Sequence, residues 1–197
     1  MREKESKFRK AGLGKPERDE TADGAAMGGR AEHNRILSLT QAAMIAAIYV
    51  VLTYVFSAFS FGQVQIRIAE ALTILPVFTP AAIPGLFVGC LIGNIAGGAV
   101  LPDIIFGSIA TLLGAIFTYK LRNSNRFLAP LPPIISNAVI VPFVLHYGYG
   151  INLPIPLMML TVGAGEIVSC GIFGLILQSA LSKFRGSIFS GSKTAAR

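Results

Sequence analysis

Gln63-Val64-Gln65-Ile66-Arg67-Ile68-Ala69-Glu70-Ala71-Leu72-Thr73-Ile74-Leu75-Pro76 sets an arginine and a glutamate three residues apart at the edge of an apolar run. Whether that pair lies in water or in a bilayer decides how the whole chain is read. Ionised side chains inside a membrane are costly and mark ligand or ion sites more often than plain scaffolding.

The surroundings favour the bilayer. The chain has 197 residues, 53% hydrophobic and 14% charged, and the charges are unevenly distributed. Residues 1–35 hold nine of the 17 Lys and Arg and seven of the 10 Asp and Glu, so the rest carries only three carboxylates, Glu70, Asp103 and Glu166. A body of that composition is a membrane protein. The high pI does not point to nucleic acid, because the basic residues of the body flank apolar segments in short clusters, as the positive-inside rule expects. Cys90 and Cys170 lie in different apolar segments without metal-type spacing and read as small packing residues.

Outward from the opening stretch, the pattern predicts an all-α membrane protein with six transmembrane helices near 36–56, 65–78, 84–97, 101–119, 132–147 and 155–181. Residues 1–35, mixed in charge and without hydrophobic period, are expected to form a disordered cytoplasmic tail. Residues 36–182 form the membrane domain, and 183–197 a basic cytoplasmic tail. With six crossings and both termini cytoplasmic, every Lys and Arg of the body except Arg67 falls on the inner side.

Small residues suggest where helices meet. Gly85, Gly89, Gly93 and Gly97 recur every fourth residue, a ladder suited to close helix contact. Ala42 with Ala46, and Ala43 with Ala47, make two overlapping small-xxx-small pairs on the first helix, fit either for packing inside the bundle or for a partner.

The topology brings Arg67, Glu70, Asn94 and Asp103 to the outer side and puts Glu166 deep in the sixth helix. Each has a plainer reading. Arg67 and Glu70 could neutralise one another, Asp103 could only complement a helix dipole, and Asn94 and Asn137 could be interhelical glue. If the groups line one outward-facing pocket, three carboxylates against one arginine suit a small ligand rich in donors or positively charged. One carboxylate can accept the paired N–H groups of a guanine-like edge while another pairs with an ammonium. Tyr54, Phe59, Phe61 and Phe106 are candidates for a stacking surface. Catalysis has little support, since no Ser/His/Asp set, no HExxH and no phosphate-binding GxxxxGK[ST] loop is present.

Four segments, Gln65-Ile66-Arg67-Ile68-Ala69-Glu70-Ala71-Leu72, Thr79-Pro80-Ala81-Ala82-Ile83-Pro84-Gly85-Leu86, Ser136-Asn137-Ala138 and Gly163-Ala164-Gly165-Glu166, resemble the QueT family of queuosine-precursor transporters. The likeness covers about residues 36–182. It implies the substrate-binding subunit (S component) of an energy-coupling factor (ECF) transporter in a bacterial cell membrane. It also implies three partners: a transmembrane coupling subunit of the EcfT type and two ATPase subunits, which hydrolyse the ATP. The implied ligand is a 7-deazaguanine such as 7-aminomethyl-7-deazaguanine. The implied substrate-binding residues are Arg67, Glu70, Asn94, Asp103, Asn137 and Glu166, and the implied docking residues Ala42, Ala43, Ala46 and Ala47. No metal or catalytic residue is expected. The alternatives are an S component for another purine-like or vitamin ligand, or a small intramembrane enzyme using Glu166 and Asp103.

Overall fold

The computed structural model describes residues 20–56 and 66–184, and among these residues the only regular secondary structure is helical. The elements in order are α1 (Glu20–Val55), a 3-10 helix (Ile68–Val77), α2 (Ala82–Ala96), α3 (Asp103–Lys120), a one-turn 3-10 segment (Arg126–Leu128), α4 (Leu131–Tyr147) and α5 (Ile155–Lys183). Four stretches are long and apolar enough to cross a membrane: Glu32–Val55 within α1, Asp103–Lys120, the Arg126–Tyr147 stretch that ends in α4, and Ile155–Lys183. The other two apolar helices, Ile68–Val77 and Ala82–Ala96, are shorter. The chain is therefore a multi-helix membrane protein, and its apolar helices lie where the hydropathy pattern puts them.

Helix α1 is described from Glu20, inside the stretch expected as a tail through residue 35. The stretch from Glu20 to Glu32 sets four Ala, with Glu, Met and Arg, all good helix formers, against three Gly that disfavour a helix. Once the apolar segment has nucleated, adding turns to its N-terminal end costs little. Residues up to Ile36 separate as a unit of their own, and residues 1–19 lie outside the described residues.

One expectation is corrected: the opening stretch is a 3-10 helix rather than an α-helix. Its i to i+3 bonding shows in the Glu70 N–H donating to the Arg67 carbonyl and the Phe78 N–H to the Leu75 carbonyl, both at 2.9 Å. With about three residues per turn, side chains at i and i+3 eclipse. Glu70 and Thr73 thus project on one line, whereas in an α-helix a step of three would drift around the axis; Arg67 precedes the helix in an extended conformation. Every residue from Ala69 to Val77 is buried.

This 3-10 helix packs against α2, α3 and the C-terminal part of α5 from Ile167 onward. Its apolar residues Leu72, Ile74, Leu75 and Val77 share one cluster with Ile45 and Tyr49 of α1 and Leu86 and Cys90 of α2. A second cluster, Val141, Leu145, Met158 and Val162, joins α4 to α5. Large apolar side chains such as Leu39, Val51, Leu160 and Ile176 face outward and are more than half exposed, as a lipid-facing surface requires. Lipid is as apolar as leucine, so helices associate in it through close packing and polar contacts.

Close packing is visible between α1 and α2. A Cβ at Gly85 would lie 2.6 Å from the Ala42 carbonyl oxygen, and one at Gly89 would lie 2.8 Å from the Tyr49 Cβ and 3.0 Å from the Ala46 Cα. The glycine ladder is where α1 lies on α2. Ala42 and Ala46 are accordingly buried inside the chain, while Ala43 and Ala47 face outward.

Candidate functional site

Three local devices aim the polar side chains inward. The first is the 3-10 helix, which delivers Glu70 and Thr73 from one eclipsed face and Arg67 from the extended residue just before it. The second is the turn after α2, where Gly98 adopts φ 75° and the Ala99 N–H returns to the Asn94 carbonyl at 2.9 Å. Positive φ suits a glycine without cost from a Cβ. This turn folds α3 back so that the Asn94 amide donates to the Asp103 carbonyl at 3.2 Å. The third is a pair of π-helical segments, Asp103–Gly107 and Ile167–Phe173. One starts at Asp103 and the other directly follows Glu166, and such widened turns recur at functional positions in helices.

All six expected ligand-binding residues are buried, with Arg67 3%, Glu70 0%, Asn94 1%, Asp103 0%, Asn137 1% and Glu166 1% exposed. They form two linked groups. In the first, Arg67 Nη2 donates to both carboxylate oxygens of Asp103, at 2.9 and 2.7 Å. Tyr149 donates to Asp103 Oδ2 at 3.1 Å. Asp103 is therefore an ion-pair partner rather than a simple helix-end charge. Burial first, then the nearby Asp103 charge, pushes the Tyr149 hydroxyl up to about 12, so it stays a donor at neutral pH.

In the second group, Glu70 Oε1 accepts from Tyr49 at 2.5 Å and from Thr111 at 2.8 Å. Cys170 donates to Glu166 Oε2 at 3.1 Å and also contacts the Glu70 carbonyl, at 3.4 Å, and Thr73, at 3.5 Å. One donor atom each from Glu70, Glu166 and Cys170 lie within 4.8 Å of one another, close enough for this set to hold a cation. The Asn137 amide lies beside the Glu166 carboxylate. Yet Glu70 Oε2 and both amide atoms of Asn137 have no hydrogen bond of good geometry among the described residues. Buried polar atoms are nearly always bonded, so these three point to something that completes them.

Sequence reasoning missed Tyr49, Thr111, Tyr149 and the polar use of the cysteines. Cys90, expected only to pack, lies within 3.4 Å of the Thr111 hydroxyl and 3.7 Å of the Asn94 amide. One usable signal was present for Cys170, which follows Glu166 by four residues and so shares its helix face. The stacking surface does not form as expected. Tyr54 and Phe106 are more than half exposed, while Phe59 and Phe61 lie outside the described residues.

An apolar helical chain that spans the membrane several times, with a buried and incompletely bonded polar cluster at its centre, belongs to the class of membrane proteins that handle a small polar solute. The QueT transporter family matches residues 39–183, and the chain is a member of that family. The chain is 36% identical over 73 residues to the queuosine precursor transporter QueT of Lactococcus lactis subsp. cremoris. That match covers 36% of this chain and 43% of the relative's length. No solved structure matches the chain.

Proposed function

We propose that this chain is the substrate-binding S component of an ATP-driven ECF-type importer, capturing a queuosine precursor from outside the cell. The ligand in this reading is a 7-deazaguanine such as 7-aminomethyl-7-deazaguanine. A transmembrane coupling subunit and two ATPase subunits complete the importer in the bacterial cell membrane. Six crossings with both termini cytoplasmic fit the distribution of Lys and Arg.

The observation that carries the reading is the unfinished bonding of Glu70 and Asn137 beside Glu166, at the centre of a chain in the QueT transporter family. Arg67 and Asp103 engage each other, so their role is to hold the wall of the site while Glu70, Glu166 and Asn137 meet the ligand. The enzyme alternative fits less well, because Asp103 is already bound by Arg67 and Tyr149 rather than poised as an acid or base.

The exposed Ala43 and Ala47 suit docking on the coupling subunit, since Ala42 and Ala46 are occupied against Gly85 and Gly89. The decisive experiment is to release and identify any ultraviolet-absorbing ligand that copurifies with the protein, and to measure its affinity for the parent, Glu70→Gln and Glu166→Gln. Each variant should bind about tenfold or more weakly, because each removes a charge-assisted hydrogen bond. Unchanged affinity in both would sink the site, and a purine or vitamin without the 7-deazaguanine ring would overturn the ligand.

A further inference from the structure

Glu70, whose Oε2 has no hydrogen bond among the described residues, and Glu166, which accepts from Cys170, stand 96 positions apart in the chain yet converge with Cys170 inside a 4.8 Å span. Two acceptors that close can both reach a single nitrogen at about 2.7–2.9 Å each, the length of a charge-assisted bond. They cannot serve opposite ends of a rigid bicyclic base. This differs from the division of labour that the sequence allows, with one carboxylate on the base edge and another on an ammonium.

The charge balance narrows the group further. Among the described residues Arg67 is the only buried Lys or Arg, and its Nη2 donates to both Asp103 carboxylate oxygens. No ion pair offsets Glu70 or Glu166 among those residues. Two buried carboxylates this close are compensated by a shared proton or by a bound cation, and a neutral ligand brings neither. The second, independent observation is Asn137, 1% exposed, beside the Glu166 carboxylate and with neither amide atom in a hydrogen bond of good geometry among the described residues. Its Oδ1 can accept a further proton of the same cation, or its Nδ2 can donate to a carbonyl next to it.

We propose that Glu70 and Glu166 together form a subsite for a primary ammonium, so that the protein selects the protonated amine of its ligand rather than the base edge through this pair. The proposal rests on the transporter reading above and assigns the part of the ligand that these residues hold.

The test uses the full chain purified in detergent and two probes, 7-aminomethyl-7-deazaguanine and its neutral 7-hydroxymethyl counterpart, compared by calorimetry. The amine should bind at least about tenfold more tightly, as expected for a charge-assisted contact against a neutral one. Glu166→Gln and Glu70→Gln should bring the two affinities together. Equal affinities for the wild-type chain would overturn the subsite while leaving the transporter reading intact, and this comparison needs no variant to fold. A preference that persists in both variants would also overturn it, and so would amine binding that disappears on chelation and returns with zinc. If neither probe binds, the ligand reading and the subsite fall together.

Discussion

Arg67 and Asp103, 36 positions apart, are joined by two hydrogen bonds from one guanidinium nitrogen, at 2.9 and 2.7 Å, with both side chains buried. The contact ties the start of the 3-10 helix to the start of α3. Removing one member of a buried pair leaves the other charge uncompensated, which costs about 3–5 kcal/mol, whereas replacing both with apolar residues can be nearly neutral. Asp103→Leu should therefore lower the melting temperature in detergent markedly, and Arg67→Met combined with Asp103→Leu should recover much of the loss. A double variant no more stable than the single would show that the pair is not the source of the effect.

Tyr149 completes the same contact from the loop after α4. Its hydroxyl titrates near 12, raised first by burial and then by Asp103, against about 10 for an ordinary tyrosine. The folded state then holds its proton more tightly than the unfolded chain does. Its stabilising contribution is complete below about pH 10 and lost as pH rises through about 12. Tyrosinate absorbance should show a component with a midpoint near 12 that is absent from Tyr149→Phe, and an identical titration curve in the variant would refute this assignment.

The glycine ladder gives a paired comparison. At Gly85 a methyl group would meet the Ala42 carbonyl oxygen at 2.6 Å and its Cα at 3.1 Å, backbone atoms that cannot swing aside. At Gly163 the nearest atom, the Ala138 Cβ, is 3.6 Å away, an ordinary contact. Gly85→Ala should destabilise the protein by roughly 1–3 kcal/mol through overpacking, while Gly163→Ala should fall within about 0.5 kcal/mol of the parent or gain from helix propensity. Thermal unfolding of both proteins in one detergent checks the contrast. Equal melting temperatures would refute the close approach of α1 to α2.

These contacts show which features the sequence made legible. Arg67, Glu70, Asn94, Asp103, Asn137 and Glu166 stood out because a polar residue in a long apolar run has no ordinary surface role, and the structure buries all six. Tyr49, Thr111 and Cys170 did not stand out, since a hydroxyl or thiol in a membrane helix can bond within its own turn and resembles a packing residue. The 3-10 geometry was hidden too. Over ten residues that are nearly all buried, periods of 3.0 and 3.6 give no distinguishable hydrophobic pattern. Aromatic position misled for a related reason. Lipid and protein core are equally apolar, so hydrophobicity could not tell the outward Tyr54 and Phe106 from residues lining a site.

The same ambiguity attends the four alanines of α1, and here burial separates them. Ala42 and Ala46 are each 9% exposed, with backbone atoms at the van der Waals limit of Gly85 and Gly89, while Ala43 and Ala47 open onto a face with Met44, Ile48 and Val51. A leucine at position 42 would have to displace α2, but a leucine at 43 would project outward. Ala42→Leu should therefore lower thermal stability and ligand binding together. Ala43→Leu and Ala47→Leu should leave both unchanged in the isolated chain yet abolish uptake by cells that carry the coupling and ATPase subunits, because a bulky side chain stops a partner helix from approaching closely. Uptake at the parental rate in both outward variants would remove this face from the docking surface. Loss of stability in Ala43→Leu to the same degree as in Ala42→Leu would show that the face is internal after all.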